Sequence, residues 1–183
     1  MRAGRVLVAV ASAAVLTGCV TVNEQAGPGM MHGRGATVVR STCAPPVDAS
    51  GSTVVVMLGD GGMMRRMHGG TAMLRAVPAT VPAGPVTLLA QNMGRRTHEL
   101  VVLPLAPGES VGERAVGVDG TVDETGSLGE ASAPCAEGAG DGLTPGAVGW
   151  VTLDLPAGRY ELVCNLPRHY AAGMVDELVV TAR

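Results

Sequence analysis

Apolar residues along this chain fall in short runs rather than helical stripes. Thr53-Val-Val-Val-Met-Leu58 is β-branched and bounded by glycine, which predicts a strand. Runs at 72–77, 85–91 and 98–105 predict three more, separated by Pro-Ala-Gly turn chemistry. Trp150-Val-Thr-Leu-Asp-Leu155 alternates apolar and polar residues, the pattern of a half-buried strand. Pro156-Ala-Gly-Arg159 reads as a turn, 160–164 as the next strand and 175–181 as the last. No segment after residue 18 carries a 3.6-residue apolar stripe. Several short strands with Pro/Gly turns predict an all-β fold, a Greek-key β-sandwich.

Three stretches depart from that pattern. Arg2 and Arg5 precede an apolar run over 6–16 that is too short to span a bilayer, so it reads as an export signal. Residues 20–42 are Gly-rich and aperiodic and read as a tether. Between 106 and 149 the chain turns Gly-rich and acidic, with eight carboxylates and one base, Arg114. A connection of that length in a compact domain is either functional or loosely ordered, and its composition predicts a solvated insertion. The expected organisation is therefore a signal peptide at 1–18, a flexible tether at 19–50 and one domain at 51–183. Its core is 72–183, interrupted by the insertion 106–149.

Charge narrows the classes of partner. Sixteen acids face thirteen basic residues, every one an arginine, and two of those lie in the leader. A chain with this balance lacks the basic face that phosphate binding requires, so no nucleic-acid partner is expected. Phenylalanine is absent and the chain has one tryptophan, so its core must be built from Val, Leu and Met.

The candidate chemistry lies near the end of the chain. Cys164-Asn-Leu-Pro-Arg-His169-Tyr-Ala-Ala-Gly-Met174 sets a thiolate, an imidazole and a thioether within eleven residues, between two predicted strands. This soft ligand set suits copper better than other common metals. A trigonal site needs a second imidazole, and His98 stands at the head of an apolar run in Asn92-Met-Gly-Arg-Arg-Thr-His98-Glu-Leu. Backbone N–H groups beside Asn92 are expected to hydrogen-bond the sulfur. The single loop cysteine limits the site to one copper, and no His-x-His pair exists for a multicopper centre.

Four cysteines are present. Leu16-Thr17-Gly18-Cys19 resembles the lipobox of bacterial lipoproteins, a resemblance that implies cleavage before Cys19 and its lipidation. Cys164 belongs to the ligand loop. Cys43 and Cys135 remain, in a chain marked for an oxidising compartment, and are expected to pair. Their disulfide would close a loop worth roughly 4 kcal/mol by chain entropy.

At the ligand residues the chain resembles the cupredoxins. The resemblance covers roughly 72–183 and rests on Asn92-x-Gly-x-x-x-His98-Glu-Leu and Cys164-x4-His169-x4-Met174. The loop spacing is similar to the rusticyanin and sulfocyanin groups rather than to the shorter plastocyanin loop. His98-Glu-Leu-Val-Val-Leu-Pro-Leu and Gly158-Arg-Tyr-Glu-Leu-Val-Cys164 are similar to sulfocyanin-like lipoproteins of actinobacteria. The family implies His98, Cys164 and His169 as equatorial ligands of one type 1 copper, with Met174 axial. Arg168 departs from it, since related loops often carry glycine before the second histidine.

These readings lead to a blue-copper electron carrier rather than an enzyme. It is expected as a monomer, exported and lipid-anchored at the outer face of the cytoplasmic membrane. Its partners would be membrane-associated redox proteins, with no small-molecule substrate. Met/His clusters at 30–32 and 63–68 keep a second function open, copper storage, delivery or resistance. A metal-free sandwich used for adhesion is the third.

Overall fold

The computed structural model describes residues 43, 45, 51–60 and 72–183. The leader, Cys19, nearly all of the tether and both Met/His clusters, 30–32 and 63–68, lie outside the described residues. Among these there are nine strands: β1 (Ser52–Asp60), β2 (Ala72–Val77), β3 (Thr80–Pro82), β4 (Gly84–Asn92), β5 (Leu100–Leu105), β6 (Gly129–Ala131), β7 (Val148–Leu155), β8 (Gly158–Val163) and β9 (Val175–Thr181). One 3₁₀ turn, Tyr170–Ala172, interrupts them, and no α-helix occurs among the described residues.

The strands form two sheets, ordered β2-β1-β4-β7 and β3-β9-β8-β5-β6. Pairing is antiparallel except for β1 with β4 and β3 with β9. A continuous core lies between the sheets, with Val54, Val56, Leu58 and Leu88 from one and Leu100, Val102, Leu162 and Leu178 from the other. The chain is thus an all-β two-sheet sandwich, as its pattern of short runs predicts.

All seven predicted strands form, and two more appear. Short β3 falls where two prolines read as turn, and it pairs at the edge of its sheet, the position that tolerates proline. Strand β6 is three residues inside the insertion, paired to β5. The predicted 98–105 strand starts two residues late. His98 instead makes an isolated bridge with Leu143, each backbone N–H donating to the other's carbonyl, at 3.0 and 2.6 Å.

Most of the insertion is exposed to solvent, as its composition predicts. Val122, Ala131, Ser132 and Leu143 are buried, however, so part of the segment packs onto the domain. The cause lies in β5, where Leu100 and Val102 face the inter-sheet core while Val101 and Leu103 point the opposite way. That outer face forms a second cluster with Val122, Val163 and Tyr170. A strand that is apolar at both parities needs cover on both faces, and Val122 of the insertion supplies it together with Tyr170 of the ligand loop.

Glu161 of β8, fully buried on the same outer face, fixes the segment in place. It pairs with the Arg114 guanidinium and accepts the Gly112 N–H at 2.7 Å and the Tyr170 hydroxyl at 3.0 Å. Arg114 also donates to the Pro104 carbonyl at 2.6 Å, and its backbone N–H donates to the Tyr170 oxygen at 2.9 Å. The lone base of the acidic stretch is therefore the partner of a buried carboxylate. Cys43 and Cys135 form a disulfide, with Cα atoms 5.1 Å apart, that ties the far part of the insertion down.

Candidate metal centre

Each donor is placed by backbone geometry. Strand β8 ends at Val163, and the next residue, Cys164, donates its N–H to the Met174 carbonyl at 3.0 Å. That bond closes the mouth of the ligand loop. Within the loop the His169 N–H donates to the Leu166 carbonyl at 2.9 Å, and the Met174 N–H to the His169 carbonyl at 3.1 Å. Gly173 takes φ 92°, a left-handed value that favours glycine, at the exit of the 3₁₀ turn.

Arg168 also sits in the left-handed region, at φ 71°. Glycine would be unstrained there, whereas arginine pays a steric cost. Its N–H donates to the Gly120 carbonyl at 2.8 Å, which docks the loop on the insertion. Asn165 makes a second such link. It accepts the Val122 N–H at 2.7 Å and donates to the Val122 carbonyl at 2.9 Å and to Glu124 at 2.6 Å.

On the other side, Asn92 builds the turn that leads to His98. Its amide nitrogen donates to the carbonyls of Arg96, at 2.7 Å, and Leu143, at 2.6 Å, while its oxygen accepts the Gly94 N–H at 2.8 Å. The N–H groups of Asn92, Met93 and Gly94 donate to the Ala147 carbonyl, the Leu58 carbonyl and the Asn92 side-chain oxygen, so they are committed elsewhere and do not reach the sulfur. Glu99 supplies that hydrogen bond, its N–H 3.4 Å from the Cys164 Sγ.

The structure brings the four predicted residues together. The Cys164 Sγ lies 3.2 Å from His169 Nδ1 and 3.9 Å from His98 Nδ1, and the two Nδ1 atoms are 3.3 Å apart. Donors about 2.0–2.3 Å from a common ion in a trigonal plane would stand about 3.5–3.8 Å apart. The observed separations bracket that range, so the donors fit a metal without rearrangement. Met174 is fully buried and lines the same cavity as His98 and His169. Two imidazoles, a thiolate and a thioether are the donor set of a type 1 copper site.

Exposure is unequal among them. Cys164, Met174 and His98 are buried, while the His169 ring is partly exposed. Arg96 and Arg168 stand at the mouth of the cavity.

Burial pushes the Cys164 thiol up to about 12, against the pull of the Glu99 and Leu166 N–H groups. Burial holds His98 below the ordinary histidine value, helped by the charge of His169 and opposed by Asp60. His169 is lowered by burial and by Arg96, again against Asp60. Both imidazoles are therefore neutral and ready to bind near pH 7, whereas the thiol must lose its proton to the incoming metal.

Sequence reasoning missed several contributors. Asp60 and Arg96 line the cavity, Asn165 ties the loop to the insertion, and Glu99 faces the sulfur through its backbone. Asp60 sits in Gly-Asp-Gly-Gly, which reads as an ordinary turn, so nothing local marks it.

No family model matches the chain, and no curated protein matches it. Solved structures do. Reduced auracyanin from the photosynthetic bacterium Roseiflexus castenholzii is 22% identical, with a TM-score of 0.44 over 71% of this chain and 98% of that one. Rusticyanin from Thiobacillus ferrooxidans is 21% identical, with a TM-score of 0.45 over 72% of this chain and 79% of that one. Auracyanin A from Chloroflexus aurantiacus, described as a "blue" copper protein, is 21% identical, with a TM-score of 0.43 over 70% of this chain and 99% of that one.

Proposed function

We propose that this chain is a mononuclear type 1 copper protein of the cupredoxin kind that carries single electrons, with His98, Cys164 and His169 as equatorial ligands and Met174 as the axial one. The observation that carries the reading is the convergence of one Sγ and two Nδ1 atoms at 3.2–3.9 Å in a largely buried site. Copper, when bound, supplies the one-electron couple between Cu(II) and Cu(I).

The protein's part is to hold the donors still. Fast transfer requires one geometry tolerable to both oxidation states, with little to reorganise. His98 is held by a backbone bridge on both sides of its residue, and the ligand loop is closed by the Cys164–Met174 bond. Burial of the sulfur excludes water from the thiolate. The partly exposed His169 edge is the route by which an electron enters or leaves, within a mouth bordered by Arg96 and Arg168.

The disulfide supports an oxidising compartment outside the cytoplasm. We place the protein at the outer face of the membrane through a lipid on Cys19. Labelling with a radioactive fatty acid that persists in Cys19→Ala would overturn that anchor.

An optical spectrum of the domain loaded with Cu(II) tests the main reading. An intense thiolate-to-copper band toward the red, bleached by ascorbate, is expected. A colourless protein that takes up several Cu(I) ions would replace it with storage or delivery.

A further inference from the structure

The buried imidazole of His98 leaves one nitrogen unaccounted for. Nδ1 faces the other donors, while Nε2, on the far side of the ring, is buried without a hydrogen-bond partner. An orphaned polar atom at this depth is costly. The group that faces it is a carboxylate, with Asp60 Oδ1 3.7 Å from Nε2.

Asp60 is held there. It is the last residue of β1, in the other sheet from Cys164, and its carboxylate is only 12% exposed. Oδ1 accepts the Arg95 N–H at 2.5 Å, and Oδ2 lies 3.5 Å from Arg96 Nε.

The space between carboxylate and ring is kept open by Gly94. A Cβ at that position would lie 2.4 Å from Asp60 Oδ1 and 2.8 Å from His98 Nε2. Gly94 lies outside the left-handed region, so what the position demands is room and not backbone freedom. The glycine of Asn92-x-Gly94-x-x-x-His98 thus preserves a direct line between an acid and an imidazole.

We infer that Asp60 is the positioning residue for His98: its carboxylate accepts a hydrogen bond from Nε2–H when Nδ1 is committed to the metal, across a gap that Gly94 leaves open. This rests on the copper reading above. A carboxylate behind a ligating imidazole fixes its tautomer and ring orientation and raises its basicity, and losing such a partner typically weakens metal binding 10–100-fold, by order of magnitude. Negative charge behind the ring favours the more highly charged ion. Asp60 therefore stabilises Cu(II) more than Cu(I).

The copper-loaded variants Asp60→Asn, Asp60→Ala and Gly94→Ala test this. Asp60→Ala is expected to weaken Cu(II) relative to Cu(I) about tenfold, a rise in reduction potential of about 59 mV for one electron. Asp60→Asn, which keeps an oxygen for the Arg95 N–H, should move the potential the same way by less. Gly94→Ala, which retains the carboxylate but drives a methyl into the gap, should also raise it. A merely structural Asp60 would alter melting temperature and leave the potential of a blue site unmoved.

A second readout is the His98 Nε2 proton, followed by NMR in the Zn(II)-loaded protein. It should be slow to exchange in wild type and fast in Asp60→Ala, which leaves Nε2 no acceptor. Blue Asp60→Ala and Gly94→Ala proteins with the wild-type potential, and a protected Nε2 proton in Asp60→Ala, would overturn the inference and leave the copper assignment standing. A wild-type protein that never turns blue would instead remove the reading beneath it.

Discussion

The ligand loop, 164–174, and the acidic insertion, 106–149, meet beside the metal centre, yet they are built differently. The loop carries its chemistry in its own spacing, and apart from the Cys164–Met174 bond that closes it, its internal hydrogen bonds run between neighbours a few residues apart. The insertion carries no donor, and its contacts reach across the chain: Val122 to Asn165, Gly120 to Arg168, Leu143 to His98, Arg114 to Glu161. One segment provides ligands and the other holds them. For the electron carrier proposed above, low reorganisation would make a clamp outside the ligand set as much a part of the site as the donors it steadies.

Substitutions can break that division of labour. The largest effect belongs to the loop: Cys164→Ser should abolish the visible band entirely, and an intense band that persists would sink the ligand assignment. The insertion should show itself in stability. Arg114→Ala leaves the buried Glu161 carboxyl without its guanidinium, a loss of about 3 kcal/mol for a broken buried pair. Urea denaturation of the metal-free domain measures it, and a change under about 0.5 kcal/mol, the range of ordinary surface substitutions, would mean that the insertion does not clamp.

Arg168→Gly should act in the opposite direction. Relieving a left-handed arginine is expected to stabilise the domain by about 1 kcal/mol, seen as a higher melting temperature. A loss instead would show that the arginine side chain contributes more than its backbone costs.

The smallest effect is conditional on pH and sharpens the electrostatic side of the comparison. Burial, joined by the charges of the insertion's Glu130 and Glu124, raises Glu99 from 4.5 to about 7. The folded state thus holds this proton more tightly than the unfolded one. The resulting stability is fully present below pH 4.5 and is lost as pH rises through about 7. Glu99→Gln in the metal-free domain should therefore raise the melting temperature relative to wild type at pH 8 and not at pH 4.5. Equal shifts at both values would remove the raised Glu99 carboxyl as the cause.

Much of the fold was legible before the structure, and the exceptions are informative. The seven predicted strands were readable because strand formation leaves a local signature, alternation or a β-branched run closed by Gly and Pro. Strands β3 and β6, at three residues each, are too short to leave one and exist through their pairing to β9 and β5. The packing of the insertion had one sequence correlate that composition obscured. Leu100-Val-Val-Leu103 is apolar at both parities, which requires a second cover, and a Gly-rich acidic stretch does not look like one.

The donor set was legible for a related reason. Cys164, His169 and Met174 lie within one loop, so covalent connectivity alone keeps them near each other, and residue chemistry names the metal they suit. Their closure with His98 was not determined that way. His98 and Cys164 are 66 positions apart in sequence, and it is the pairing of β5 with β8 in one sheet whose register puts the two donors at the same end.

Asp60 belongs wholly to the tertiary structure. It comes from the opposite sheet, and only the stacking of the two sheets sets a turn-like aspartate behind the imidazole of His98, with Gly94 in the space between. Spacing along the chain determined which atoms can bind, because that depends on chemistry and short connectivity. Packing between distant strands decided what stands behind them, because register and sheet stacking are properties of the assembled fold.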